Sequence, residues 1–168
     1  MSEIKPNISD RDLQPYHSFM SSFFAGFAEL GLVNQGSLNI VSRRAAEYFH
    51  AYLDAQGILP AIEDVPGDTQ EQVIRNLILY SNKLLNLMGK YDLKLADENT
   101  VMLEISTQQC RICPKGVGGA AVKGTLCPIP SFLESLINLI AGKEYLRLDS
   151  RGLVKQDDLC LAYYKILQ

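Results

Sequence analysis

Residues 91–106, YDLKLADENTVMLEIS, mark the point where the hydrophobic period of the chain changes. Leu93 and Leu95 alternate with charged neighbours, and Val101, Leu103 and Ile105 alternate with Met102, Glu104 and Ser106. Asp97-Glu98-Asn99 between the two runs is turn chemistry. This is the pattern of two half-buried strands joined tightly, so the stretch predicts an antiparallel hairpin.

Before this point the spacing is helical. Phe19, Met20, Phe23, Phe24, Phe27 and Leu30 fall on one side of a predicted helix from Leu13 to Leu30, with Gly31 as its stop. Ser37 is the expected cap of a second helix, whose stripe is Leu38, Val41, Ala45, Tyr48, Phe49, Tyr52 and Leu53 and which ends before Gly57. GILPAIEDVPG, residues 57–67, reads as a loop because of its two prolines. Asp68 with Glu71 has capping-box spacing for a third helix, running to Leu87 and ended by Gly89.

After the hairpin comes a cysteine-bearing loop, and Ser131 with Glu134 then repeats the capping-box spacing ahead of a fourth helix that stops at Gly142. EYLRLDSRGLVKQDDLCLAYYKIL alternates again, and Ser150-Arg151-Gly152 is the expected turn of a second hairpin. The order ααα-ββ-loop-α-ββ predicts an α+β fold, a helical layer on a four-stranded antiparallel sheet. The 168 residues form one expected domain, 1–168, with 1–12 as a flexible N-terminal segment. Net charge is −3 and the 16 Lys and Arg form no basic stripe, which argues against nucleic acid as a partner. No apolar run approaches the ~20 residues of a membrane span, and the polar start MSEIKPNISDRDLQPYHS is unlike a signal peptide. A cytoplasmic protein is expected, and in that compartment cysteines serve metal or redox chemistry more often than disulfides.

CRICPKGVGGAAVKGTLCPIP, residues 110–130, holds three of the four cysteines. The C-x2-C spacing of Cys110 and Cys113 lets one turn aim two soft thiolates at one site, and Cys127 and Cys160 can complete four ligands. A dithiol redox pair and inert buried thiols are the alternatives. Zinc is the expected occupant and an iron–sulfur cluster the alternative, because Cys113 and Cys127 precede proline but the short consecutive ferredoxin spacings are absent. His17 and His50, on predicted helices, are not counted as ligands. The glycines do not make a nucleotide loop, since Lys123 is followed by Gly124 and the next helix starts only after LCPIP; a mobile flap or a wide turn accounts for them. No nucleophile–base motif argues for catalysis. The aromatic stripes, with Phe19, Phe23, Phe24 and Phe27 on helix one and Tyr48 and Tyr52 on helix two, are candidates for core, a dimer face or the wall of an apolar ligand pocket.

The run from TVMLEISTQQCRIC through TLCPIPSFLESLINLIAG to EYLRLDSRGLVKQDDLCLAYYKIL resembles the 4-vinyl reductase domain, a hydrocarbon-binding family. GLVNQGSLNIVSRRAAEYFHAYL resembles that family's glycine-led entry helix, so the likeness spans about Leu30 to Gln168. That family resembles TRAPP transport-complex subunits in fold. The resemblance implies a homodimer, an apolar pocket, and zinc on cysteines beside it. It puts Cys110 after the first hairpin, Cys127 in the loop and Cys160 before the last strand, with Cys113 as fourth ligand and Ser150 where many members carry another cysteine. The expected function is binding of an apolar small molecule by a stand-alone sensor or carrier, which passes its state to a protein partner. An iron–sulfur redox protein or reductase component, and a structural subunit of a larger assembly, are the alternatives.

Overall fold

Tyr91–Asp97 (β1) and Thr100–Ser106 (β2) form the hairpin read from the sequence, with Leu93 opposite Leu103 and Asp97 opposite Thr100. The computed structural model describes residues 11–167. Helices Pro15–Glu29 (α1), Gln35–Ala55 (α2) and Gln70–Leu85 (α3) precede the hairpin. Ile129–Ala141 (α4) follows it, and Leu146–Gln156 (β3) and Leu159–Ile166 (β4) close the chain. Among the described residues the fold is α+β, with four α-helices and one four-stranded antiparallel sheet in the order β1-β2-β4-β3. No helix of the described residues is long and apolar enough to cross a membrane.

Residues directly opposite one another in a ladder share a face. Val101 faces Tyr164, Leu103 faces Ala162 and Ile105 faces Cys160, and all of these except Cys160 are fully or nearly fully buried. This inner face meets Leu133, Leu136, Ile137 and Ile140 of α4 and Ile74, Leu77 and Ile78 of α3 in one core. Cys160 therefore lies at the end of the inner face of the sheet, where strand alternation sends its side chain toward the loop that follows β2.

Several boundaries differ from the sequence reading, each for a local reason. Asn34 caps α2, and Ser37 is its reciprocal partner three residues on: the Ser37 amide donates to Asn34 Oδ1 at 3.0 Å while Ser37 Oγ accepts from the Asn34 amide at 3.0 Å. Thr69 rather than Asp68 caps α3. That helix stops at Leu85 because Asn86 turns left-handed at φ 49°. Glu134 caps nothing. Its buried carboxylate accepts from the Leu148 amide at 2.7 Å and from Arg43 at 2.9 and 3.1 Å, tying α4 to β3 and α2. Ser150-Arg151-Gly152 is not the turn of the second hairpin. It forms a bulge within β3, with Gly152 at φ 61° and the register shifting between Leu148 and Leu153. The turn is the two-residue Asp157-Asp158, where Asp157 adopts φ 49° and Gln156 pairs with Leu159.

Candidate metal centre

Local backbone turns, strand pairing and side-chain clasps place the four cysteines around one space. After β2 the Ser106 carbonyl accepts the amides of Gln109 and Cys110, at 3.2 and 2.9 Å, and reverses the chain. The returning segment pairs with the α3–β1 connection: Cys110 bridges to Met88, and Arg111 donates to the Leu87 carbonyl at 2.9 Å. Arg11, buried at the start of the described chain, donates to the Cys110 carbonyl. Of the N-terminal segment 1–12 read as flexible, Arg11 is buried and held in this way, while residues 1–10 lie outside the described residues.

Cys113 opens a tight turn. Its carbonyl accepts from Val117 and Gly118 at 2.8 and 3.1 Å, and its Sγ accepts the Gly116 amide at 3.2 Å. Cys127 is held by the Gln35 side chain of α2, which accepts from the Cys127 amide at 2.8 Å and donates to its carbonyl at 3.0 Å. Cys160 enters from β4, opposite Ile105 on one side and Lys155 on the other.

All four cysteines line one cavity of about 390 Å³, together with the cations Arg11, Lys115 and Lys155. The cavity reaches the surface at the exposed residues Lys115, Gly124, Lys155 and Asp158. All four cysteines are free. Burial, and then the neighbouring Cys113, push the Cys110 thiol up to about 12. Burial also raises the Cys127 thiol well above the ordinary range, with Cys110, Cys113 and Cys160 adding to the effect. Cys160 is raised by burial and by Cys113, and Lys155 works against the shift. Each of these thiols thus feels the charge of others, as sulfurs around a common space must. Among the described residues no three Cys, His, Asp or Glu side chains are grouped closely enough to hold one metal ion. Four soft donors, a sulfur-directed amide and three cations border this one space.

Two glycines of the loop, Gly116 and Gly118, serve packing. A Cβ on Gly118 would lie 2.2 Å from the Ser21 carbonyl oxygen of α1 and 2.7 Å from the Pro114 oxygen. One on Gly116 would lie 2.9 Å from the Arg11 guanidinium. The wide turn is therefore pressed against α1 and the N-terminal Arg11.

A second cavity of about 270 Å³ lies on the other side of the cysteine-bearing segments. Ile112, between the paired cysteines, and Pro128 and Ile129, after Cys127, form its inner wall. Met20 and Phe24 of α1, Phe49 of α2 and Phe132 of α4 enclose it. Of the six aromatic residues marked in the sequence, Phe24 lines this cavity. Phe19, Phe23, Tyr48 and Tyr52 are 67%, 50%, 67% and 54% exposed, and Phe27 stacks edge-on against Phe23 with centroids 4.5 Å apart. Phe49 and Phe132, 5.9 Å apart, are wall residues the sequence reading did not mark as such, although Phe49 was on the helix-two stripe. Neither histidine lines either cavity. His17 Nδ1 accepts the Gln14 amide at 2.9 Å, and burial lowers its pKa.

The sequence profile of the MJ0207 family matches residues 31–166, which include all four cysteines, and the chain belongs to that family. Uncharacterized protein MJ1342 of Methanocaldococcus jannaschii is 34% identical over 59 residues, a match covering 33% of this chain and 52% of that protein. The chain spans about half the length of this curated relative. No solved structure matches. These findings overturn the resemblance to the 4-vinyl reductase domain and, through it, to TRAPP subunits, since the matches are to neither. The features that carried it, a hairpin, a cysteine loop, a helix and a second hairpin, describe a topology, and unrelated α+β chains can share a topology.

Proposed function

We propose that this MJ0207-family chain binds a small apolar molecule beside a metal centre held by Cys110, Cys113, Cys127 and Cys160, and works as a sensor or carrier. The observation that carries the reading is that every cysteine of the chain, from the loop and from β4 alike, borders one cavity. Zinc holds thiolates at ~2.3 Å, so four sulfurs around it stand only about 3.8 Å apart. An iron–sulfur cluster sets its ligating sulfurs farther apart than one zinc ion does, and we favour it as the occupant of a cavity of about 390 Å³ lined by all four cysteines. Such a cluster supplies one-electron exchange when bound. The chain's own part is to hold the four thiolates, direct the Gly116 amide at Cys113 Sγ, and offset negative charge with Arg11 and Lys155. Four free thiols also fit a reducing compartment, and we assign the chain to the cytoplasm. A purely structural subunit would have a filled core, and the two cavities argue against it.

Protein purified without oxygen or chelators is expected to be brown and to contain iron and acid-labile sulfide in equal amounts. Colourless protein with one zinc per chain would replace the cluster with zinc on the same ligands. Absence of both metals would remove the metal centre.

The exposed apolar face of α1 and α2 belongs, in this reading, to a second copy of the chain. Phe19 and Phe23 on α1 and Ile40, Tyr48 and Tyr52 on α2 are all at least half exposed. α1 carries no Lys, Arg or Asp, and its one acid, Glu29, is at the last position, where it accepts the Ala121 amide at 3.2 Å, so the stretch around Phe19 and Phe23 can meet its own copy across a two-fold axis without like charges between them. Wild-type protein is expected to sediment as a dimer and the double variant Phe19→Ser, Phe23→Ser as a monomer that keeps its metal. A wild-type monomer at high concentration would reject the assignment.

A further inference from the structure

We infer that the apolar cavity beneath α1 and α2 selects a neutral, ring-sized molecule carrying one hydrogen-bonding oxygen, and that Ser42 is the residue that meets this oxygen. The inference rests on the small-molecule half of the proposed function and specifies the ligand.

The walls supply the first argument. Side chains from α1, α2 and α4 and from the Ile112 and Ile129 segments enclose the cavity, and no Lys, Arg, Asp, Glu or His is among them. A carboxylate or an ammonium placed among these walls would lose its hydration with no partner, so a compact charged ligand is disfavoured against a neutral one. A dry cavity of ~150 Å³ holds benzene. About 270 Å³ therefore has room for a ring and several further carbons. Tyr16 and Val41, 45% and 46% exposed, lie where the cavity meets the surface.

The second argument is Ser42 itself. It lines this cavity, it is 3% exposed, and its Oγ has no hydrogen-bond partner in the protein. A serine inside a helix can satisfy its hydroxyl on the carbonyl four residues back. Ser81 does so in α3, donating to the Leu77 carbonyl at 2.8 Å. Ser42 makes no such bond to Leu38. Ser131, the other serine with an unpartnered buried hydroxyl, lines neither this cavity nor the thiol cavity. Leaving a buried hydroxyl unpaired is unfavourable, and a ligand oxygen removes that penalty while apolar atoms fill the space around it.

Calorimetric titration of the full chain with 2-naphthol, naphthalene and 2-naphthoate tests this. 2-Naphthol is expected to bind about tenfold more tightly than naphthalene, the upper range for one hydrogen bond, and 2-naphthoate not to bind. Ser42→Ala should bring 2-naphthol down to the affinity of naphthalene, leave naphthalene unchanged, and raise the melting temperature of the free protein. Ser42→Cys, a closer replacement with a weak donor, should lose most of the preference as well. Equal binding of 2-naphthol and naphthalene by wild type, or loss of both ligands alike in both variants, overturns the role of Ser42 and leaves an unselective apolar cavity. Failure of wild type to bind either neutral ligand overturns the small-molecule reading together with this inference, and iron content measured on the same sample shows whether the metal centre survives it.

Discussion

Cys127→Ser is expected to lose nearly all of its metal and to melt far below wild type. Cys127 is buried, its backbone is gripped on both sides by Gln35, and it cannot swing aside to let another group take its place. A serine there puts a poor ligand at a fixed position. Anything that binds only the folded state stabilises it by about 4 kcal/mol when present at a thousand times its dissociation constant, and a tightly held metal exceeds that. Loss of the metal should therefore loosen the segment from Cys110 to Pro130 before the sheet melts. Cys113→Ser should match Cys127→Ser in metal content, because the Gly116 amide already aims at Sγ of Cys113. Full retention of metal in Cys113→Ser would remove it from the ligand set. Cys160→Ser needs its melting curve read beside its metal content, since Cys160 also packs opposite Ile105. Metal unchanged in all four single variants would end the metal reading.

The parts of this molecule that were legible in the sequence are those that depend on period. Alternation in residues 91–106 and 159–166, against 3.6-residue spacing in the helices, is enough to derive the α+β fold, because each pattern buries one face in only one kind of element. Turn chemistry was ambiguous where two candidates lay close together. Ser150-Arg151-Gly152 and Asp157-Asp158 both admit a positive φ, and only pairing of β3 with β4 along nearly its full length distinguishes a bulge from a hairpin turn. The meeting of Cys160 with the loop cysteines was half legible: alternation puts it on the face of Ala162 and Tyr164, but the sheet order that brings β4 beside β2 is a long-range fact. Ser42 was legible and overlooked. The spacing Leu38, Ser42, Ala45, Phe49 sets it within the apolar stripe of α2, where a lone hydroxyl asks for a partner. Phe19, Phe23, Tyr48 and Tyr52 show the reverse limit, since an aromatic stripe marks an apolar face without saying whether it is covered by the same chain.

Gly118→Ala is the second large effect expected, and it separates the two accounts of the glycine-rich loop. At Gly118 an added methyl would sit 2.2 Å from the Ser21 carbonyl oxygen and 2.6 Å from its carbon, both backbone atoms of α1, and 2.7 Å from the Pro114 oxygen. Rotating a side chain relieves none of these contacts. Either α1 or the turn that follows Cys113 must move, and overpacking of this kind costs about 3 kcal/mol. Gly124 is the control. A Cβ there meets nothing within 4 Å, and its φ of 75° makes the substitution a matter of backbone strain alone, about 1 kcal/mol. Chemical denaturation should therefore rank wild type, Gly124→Ala and Gly118→Ala in falling order of stability, with the last also losing metal because the turn it displaces carries Cys113 and the Gly116 amide. Equal, small losses in the two variants would mean that the loop does not rest on α1, and that its glycines give it mobility instead of close contact.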